Sequence, residues 1–339
     1  MKAAVVREIG VLEVWEIPLP PVGPYDVLCR MCFGSTCAGT DIHLTDGKHP
    51  FPVQYPTILG HESVGRVVEV GSKVRNFKVG DLVSRVGYPA DVLGGLSSNW
   101  GGFAEYGIAK DHWQMQRDGV PQVEWDRNRV NQIIHPEIDE RTAPMIITWR
   151  ETLSYLKRIG VTSNTHLLLI GSGANALAFA AHACNMNTAV TVVGSPKREA
   201  IFSTLPIQQY IDYHSEDLKE AIYQSGHSEY DILLDAVGEN RTVNQLLPLI
   251  KRDGILGVYG WNNRKNYGIN PFYVTDNLRF YAGGYDEEET NSEVQAMILR
   301  GQLQASLWYD YAHPIPLEHI ETAYQSLRKH EALKYLIQL

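Results

Sequence analysis

Residues 166–186, HLLLIGSGANALAFAAHACNM, pass from an unbroken apolar run through Gly-Ser-Gly into a second apolar, alanine-rich run. The first run has strand length and no polar face, which predicts a strand buried on both sides; the second predicts a buried helix. The same alternation continues with strands at AVTVVG (189–194), YDILLDAVG (230–238) and ILGVYGW (255–261), and a helical segment, NRTVNQLLPLIKRDG (240–254), between the last two. Strands that alternate with helices are joined by right-handed crossovers, so the expectation is a doubly wound parallel sheet.

A glycine turn between such a strand and helix has a specific use. Gly171 permits the tight turn, Gly173 lets the backbone approach a pyrophosphate, and Ala176 keeps helix and strand close. The helix opening at Ala174-Asn175 offers its free N–H groups and positive end to phosphates, so a Rossmann dinucleotide site is expected. The next strand carries the choice of nucleotide. Where NAD binds, that strand commonly ends in an acid that accepts from the ribose 2′-hydroxyl. Here it ends in Gly194, followed by Ser195, Pro196, Lys197 and Arg198. A hydroxyl and two cations suit a 2′-phosphate, so the expected cofactor is NADP(H). The competing reading is a solvated basic turn.

The first 110 residues read differently. AAVV, DVLCRM, SVGRVVEV and DLVSRV are short runs separated by Gly, Pro and Asp signals, which predicts a small β-barrel or sandwich. With 339 residues the chain is long for one core, and two domains are expected. The boundaries fall at residues 1–145 with 285–339, and 146–284. A helix, DERTAPMIITWRETLSYLKRIG, joins the two patterns, and the tail holds two helices and a last strand, LKYLIQL.

Bulk properties exclude several classes. Net charge is −9 without long like-charge runs, which argues against nucleic acid as partner. No apolar stretch reaches the roughly 20 residues that span a bilayer. Arg7 and Glu8 interrupt any signal-peptide core, so a cytoplasmic protein without membrane contact is expected. Four cysteines at 29, 32, 37 and 184 are too few and irregular for a disulfide framework.

Two stretches carry chemistry: GSTCAGTDIH (34–43) and GHES (60–63). Together with GHESVGRVVEVG, FKVGDLV, GGFAEY, the glycine turn and DAVG, they resemble the zinc-type medium-chain dehydrogenase/reductase superfamily over nearly the whole chain. The resemblance implies a GroES-like β-barrel catalytic domain with an inserted Rossmann domain. It also implies that Gly194, Ser195 and Arg198, with Tyr213 further on, recognise NADP. It points to Thr40 and His43 as a proton relay, and to His61 of GHE as a zinc ligand. The sequence departs from the family pattern. Cys37 stands one residue further from Thr40-Asp41 than usual, and the third ligand place in the interdomain helix reads Ile147. Zinc needs three Cys, His or carboxylate ligands and an open position. Cys37, His61 and Glu62 supply three if Glu62 enters the set. The four-cysteine structural zinc lobe is not expected, because no cysteine lies between Ser84 and Gln132. Asp41 reads as structural; Trp149, Glu151, Asn99, Trp100 and Trp261 are candidates for the substrate pocket.

The expected activity is NADP(H)-dependent interconversion of a secondary alcohol and a ketone, on a polyol, sugar or cyclitol, by a homodimer or homotetramer. Two alternatives stay open: a zinc-free reductase of the same fold acting on a ketone or activated double bond, and a non-enzymatic NADPH-binding protein.

Overall fold

The computed structural model describes residues 1–89, 95–98, 100–224, 226 and 229–339. Asn99 lies outside them. Two compact units emerge: Met1–Arg150 with Glu287–Leu339, and Glu151–Asp286.

The first unit is β-rich. Its long strand Asp26–Ser35 pairs antiparallel with Ser63–Val70, with Tyr106–Lys110 and with the C-terminal strand Leu336–Gln338. Strand Leu82–Ser84 extends the sheet beyond Ser63–Val70. A second sheet runs Val11–Glu16, Lys2–Glu8, Thr57–Ile58, Ser97–Ser98. Alternation in the sequence explains the core: Ala4, Val6, Leu59 and Phe103 pack against Tyr324 and Leu327 of helix Ile320–Arg328. This is the GroES-like barrel. At its side a buried carboxylate, Glu287, is shared by two buried guanidinium groups, Arg85 and Arg150, the latter at 2.7 Å.

The second unit is a six-stranded, all-parallel sheet in the order Gln209–Asp212, Ala189–Gly194, His166–Ile170, Tyr230–Asp235, Ile250–Val258, Leu278–Tyr281. The order reverses direction beside His166–Ile170, as in a Rossmann fold. One boundary differs from the sequence reading. The helix predicted through Gly254 stops at Leu246, a 3₁₀ turn follows at Leu247–Leu249, and the strand begins at Ile250. Pro248 lacks the N–H the helix would need and ends it early. No described helix is long and apolar enough to cross a membrane.

Candidate active site

Strand register assembles the site of the first unit. Gly34 lies opposite Ser63, and the Ser35 N–H donates to the Glu62 carbonyl at 2.8 Å. Cys37, just past the end of one strand, therefore meets His61 and Glu62, just before the start of its neighbour. Their ligand-type atoms all lie within 4.8 Å of one another, and all three residues are buried. Gly60 must be glycine for this approach: its φ is +96°, and a Cβ there would lie 2.5 Å from the Phe103 nitrogen.

The chain after Cys37 turns directly into a short helix. Asp41 N–H donates to the Cys37 carbonyl at 2.9 Å, and helix Thr40–Thr45 continues from there. That turn swings the fully buried Asp41 inward. Its carboxylate accepts from Cys37 N–H at 2.8 Å and Tyr324 Oη at 2.7 Å, and its other oxygen lies 3.2 Å from His61 Nδ1. Asp41 thus fixes the ring and leaves Nε2 facing Glu62 Oε1, 3.7 Å away. Burial opposes a charge on His61, yet the hydrogen bonds to Asp41 and Cys37 prevail and hold its pKa well above 6.5.

Glu62 has partners the sequence did not suggest. Lys334 Nζ donates to both its oxygens at 2.5 and 2.6 Å, Thr148 Oγ1 donates to Oε1 at 2.9 Å, and Ser35 Oγ donates to Oε2. Lys334 is only 1% exposed and Glu62 2%. Two charges taken from water are tolerated when hydrogen bonds complete both, and Lys334 also donates to the Thr36 carbonyl at 3.1 Å. Burial works against the Lys334 charge, but Glu62 outweighs it, with Cys37 and Asp41, and its pKa lies above the ordinary value. Lys334 arrives by register too, because Leu336 pairs with Ser35 on the far side of the long strand. Ile147, in the helix Met145–Ile159, is fully buried, and its neighbour Thr148 is the residue that touches Glu62.

The donor set suits zinc: a sulfur, an imidazole whose second nitrogen is held by a carboxylate, and a carboxylate oxygen, all on buried residues. Thr40 and His43 stand three residues apart on the helix Thr40–Thr45, hence on one face. His43 Nδ1 is buried without a hydrogen-bond partner. Its pKa falls below 6.5 because burial disfavours the charge and His49 and Lys48 repel it. Trp149 is core, packed edge-on against Trp308 with centroids 5.4 Å apart. Glu151 accepts from Tyr259 Oη at 3.0 Å. Trp100 lies beneath the Arg85 guanidinium at 4.3 Å, and Trp261 is exposed.

In the second unit, Gly171 has φ +126° and begins the turn into helix Ala174–Asn185, for which Gly173 is the N-cap. A Cβ on Gly173 would meet nothing within 4 Å, so the backbone there is open to a ligand. Ala176 is buried, 3.4 Å from where a Gly171 Cβ would stand. Ser172 Oγ accepts from Ser195 N–H at 2.9 Å, tying the glycine turn to the end of the neighbouring strand. Lys197 and Arg198 lie in a 3₁₀ turn, Pro196–Arg198, that follows Ser195. Tyr213 is 47% exposed and stacks on His214, with centroids 3.9 Å apart.

Comparison with known proteins agrees with this architecture. Residues 23–120 match the Alcohol dehydrogenase GroES-like domain and residues 170–290 match the Zinc-binding dehydrogenase family. The chain is 24% identical to L-galactonate-5-dehydrogenase of Escherichia coli K12 over 311 residues, which cover 89% of this chain and 88% of that protein. It is 28% identical to NADP-dependent alcohol dehydrogenase C 1 of Mycolicibacterium smegmatis over 246 residues, 69% of each chain. The structure of 2R,3R-butanediol dehydrogenase from Bacillus subtilis superposes with a TM-score of 0.79 at 19% identity, covering 100% of this chain and 99% of that one. The chain belongs to the zinc-type medium-chain dehydrogenase/reductase superfamily. It is by class an alcohol–ketone oxidoreductase.

Proposed function

We propose that the protein is an NADP(H)-dependent dehydrogenase acting on a secondary alcohol or ketone of polyol, sugar or cyclitol type. The observation that carries the reading is the buried Cys37–His61–Glu62 cluster with His61 Nδ1 held by Asp41. Relatives named for a sugar acid and a diol support the substrate class, and one named NADP-dependent supports the cofactor.

Cys37, His61 and Glu62 Oε1 would hold a zinc ion. When bound it supplies a Lewis acid for the substrate oxygen, and the nicotinamide supplies the hydride exchange. The chain's own residues bind and orient. Gly171–Ala176 present N–H groups to the pyrophosphate, with Ala174 and Asn175 opening the helix, and Gly194, Ser195, Lys197, Arg198 and Tyr213 surround the 2′-phosphate. Thr40 accepts the substrate hydroxyl proton and His43, on the same helix face, takes it outward. Lys334 seats its ammonium on both Glu62 oxygens inside the barrel. A second reading, the zinc-free reductase, draws on the ammonium already seated on both Glu62 oxygens, which neutralises the site without metal. The exposed edge strand Leu278–Tyr281, with Phe280 62% exposed, is the proposed surface for a homodimer or homotetramer, which light scattering checks.

Elemental analysis of the purified protein, with oxidation of a polyol panel by NADP and NAD, tests the proposal. One zinc per chain is expected, lost in Cys37→Ser together with activity. A metal-free enzyme that tolerates Cys37→Ser would select the second reading.

A further inference from the structure

Gly194 closes the strand whose end faces the nucleotide's ribose in a Rossmann unit, and it does so with ordinary strand pairing, opposite Asp212. Its glycine is therefore demanded by space and not by backbone angle. A Cβ built there would lie 2.4 Å from Tyr210 Oη, 3.0 Å from Tyr210 Cζ and 2.7 Å from Ser172 Cβ. Contacts under 3.0 Å are ones real Cβ atoms do not make, so something would have to shift. Tyr210 is poorly placed to do so. Its ring stands against Phe202 with centroids 5.5 Å apart, and its hydroxyl donates to the Ser195 carbonyl at 2.7 Å. Ser172 holds the other backbone group of the same residue, accepting from Ser195 N–H at 2.9 Å. Burial pushes the Tyr210 phenol up to about 12, so it stays a donor throughout the neutral range.

We infer that Tyr210 and Ser172 are positioning residues for cofactor selection. Together they fill the space an acid at position 194 would need, and they clamp Ser195 by both backbone groups so that its hydroxyl, and the basic turn after it, are fixed toward the 2′-phosphate. This deepens the NADP(H) reading and rests on it. The space beside the strand end thus bars the acid that would accept from a 2′-hydroxyl, and the cations of the following turn supply charge for a 2′-phosphate. Replacing Gly194 alone by an acid does not create a 2′-hydroxyl site, because the new side chain has nowhere to turn.

Fluorescence titration of the full chain with NADPH and with NADH tests this. Gly194→Asp is expected to weaken both nucleotides at least about tenfold. Adding Tyr210→Ala and Ser172→Gly to it is expected to recover NADH binding and leave NADPH weak. Tyr210→Phe keeps the ring and removes only the clamp, so it should weaken NADPH about three- to tenfold, the reach of one hydrogen bond, and leave NADH within about twofold. Gly194→Asp binding NADH more tightly than the parent would overturn the exclusion, as would a triple variant that regains nothing. An unchanged NADPH-to-NADH ratio in Tyr210→Phe would overturn the clamp. Equal affinities in the parent protein would refute the NADP(H) reading alone, since the Gly194→Asp series still reports on the space behind the strand.

Discussion

The nucleotide turn of the second unit lies within Gly171–Ala176, with its selective residues on the next strand end, Gly194 to Arg198. The Cys37–His61–Glu62 cluster of the first unit draws instead on Ser35, Asp41, Thr148, Tyr324 and Lys334, so its polar contacts bridge as many as 283 residues. The first site is made by local geometry: a strand, a glycine turn, a helix N-terminus. The second is made where three antiparallel strands end together. A local site tolerates distant change and is tuned by single side chains; an assembled one fails when any contributing segment is disturbed.

Lys334→Met breaks this contrast hardest. It strips the buried Glu62 carboxyl of its ammonium partner, and breaking a buried pair of this kind costs about 3–5 kcal/mol. A fall in the denaturation midpoint of the first unit is expected; an unchanged midpoint would show that the buried pair does not stabilise it. Next in size is Asp41→Asn. The amide no longer orients His61 as an ionised acceptor does, and zinc affinity is expected to drop about 10–100-fold by competition with a chelator. Arg198→Ala, in the local site, is expected to weaken NADPH about tenfold and to leave NADH and the melting behaviour nearly unchanged.

The smallest effect concerns His43. Its pKa is depressed below 6.5 by burial and by His49 and Lys48. The folded protein therefore binds this proton less readily than the unfolded chain. The stability that the neutral ring contributes is present above pH 6.5 and is lost as pH falls through the depressed value. A relay base of this kind gives kcat/KM an acid limb below pH 6.5, and His43→Gln should flatten it. A limb that is the same in both proteins would remove His43 from the proton path.

The parallel sheet, the glycine turn and the β-rich first unit were legible in the sequence because period, turn chemistry and strand length are local signals. Where a local signal was overridden, at residues 247–254, Pro248 ended the helix and strand pairing claimed what followed. Cys37, His61 and Glu62 were visible as a group because each is a metal-binding type in a short motif, and the register of Gly34 with Ser63 gathers them. Asp41 read as structural; the inward turn after Cys37 makes it the residue that orients His61.

The sequence by itself determined the two architectures, the phosphate-facing turn and the residue types of both sites. Each follows from sterics and hydrophobic periodicity within some ten to twenty neighbouring residues. Only the tertiary structure decided that Lys334 neutralises Glu62, that Thr148 stands beside the buried Ile147 to hold the same carboxylate, and that Tyr210 fills the space behind Gly194. No spacing in the chain encodes these pairs. They arise from strand register and from which buried charges and hydroxyls must find partners once water is gone, and both are properties of the folded whole.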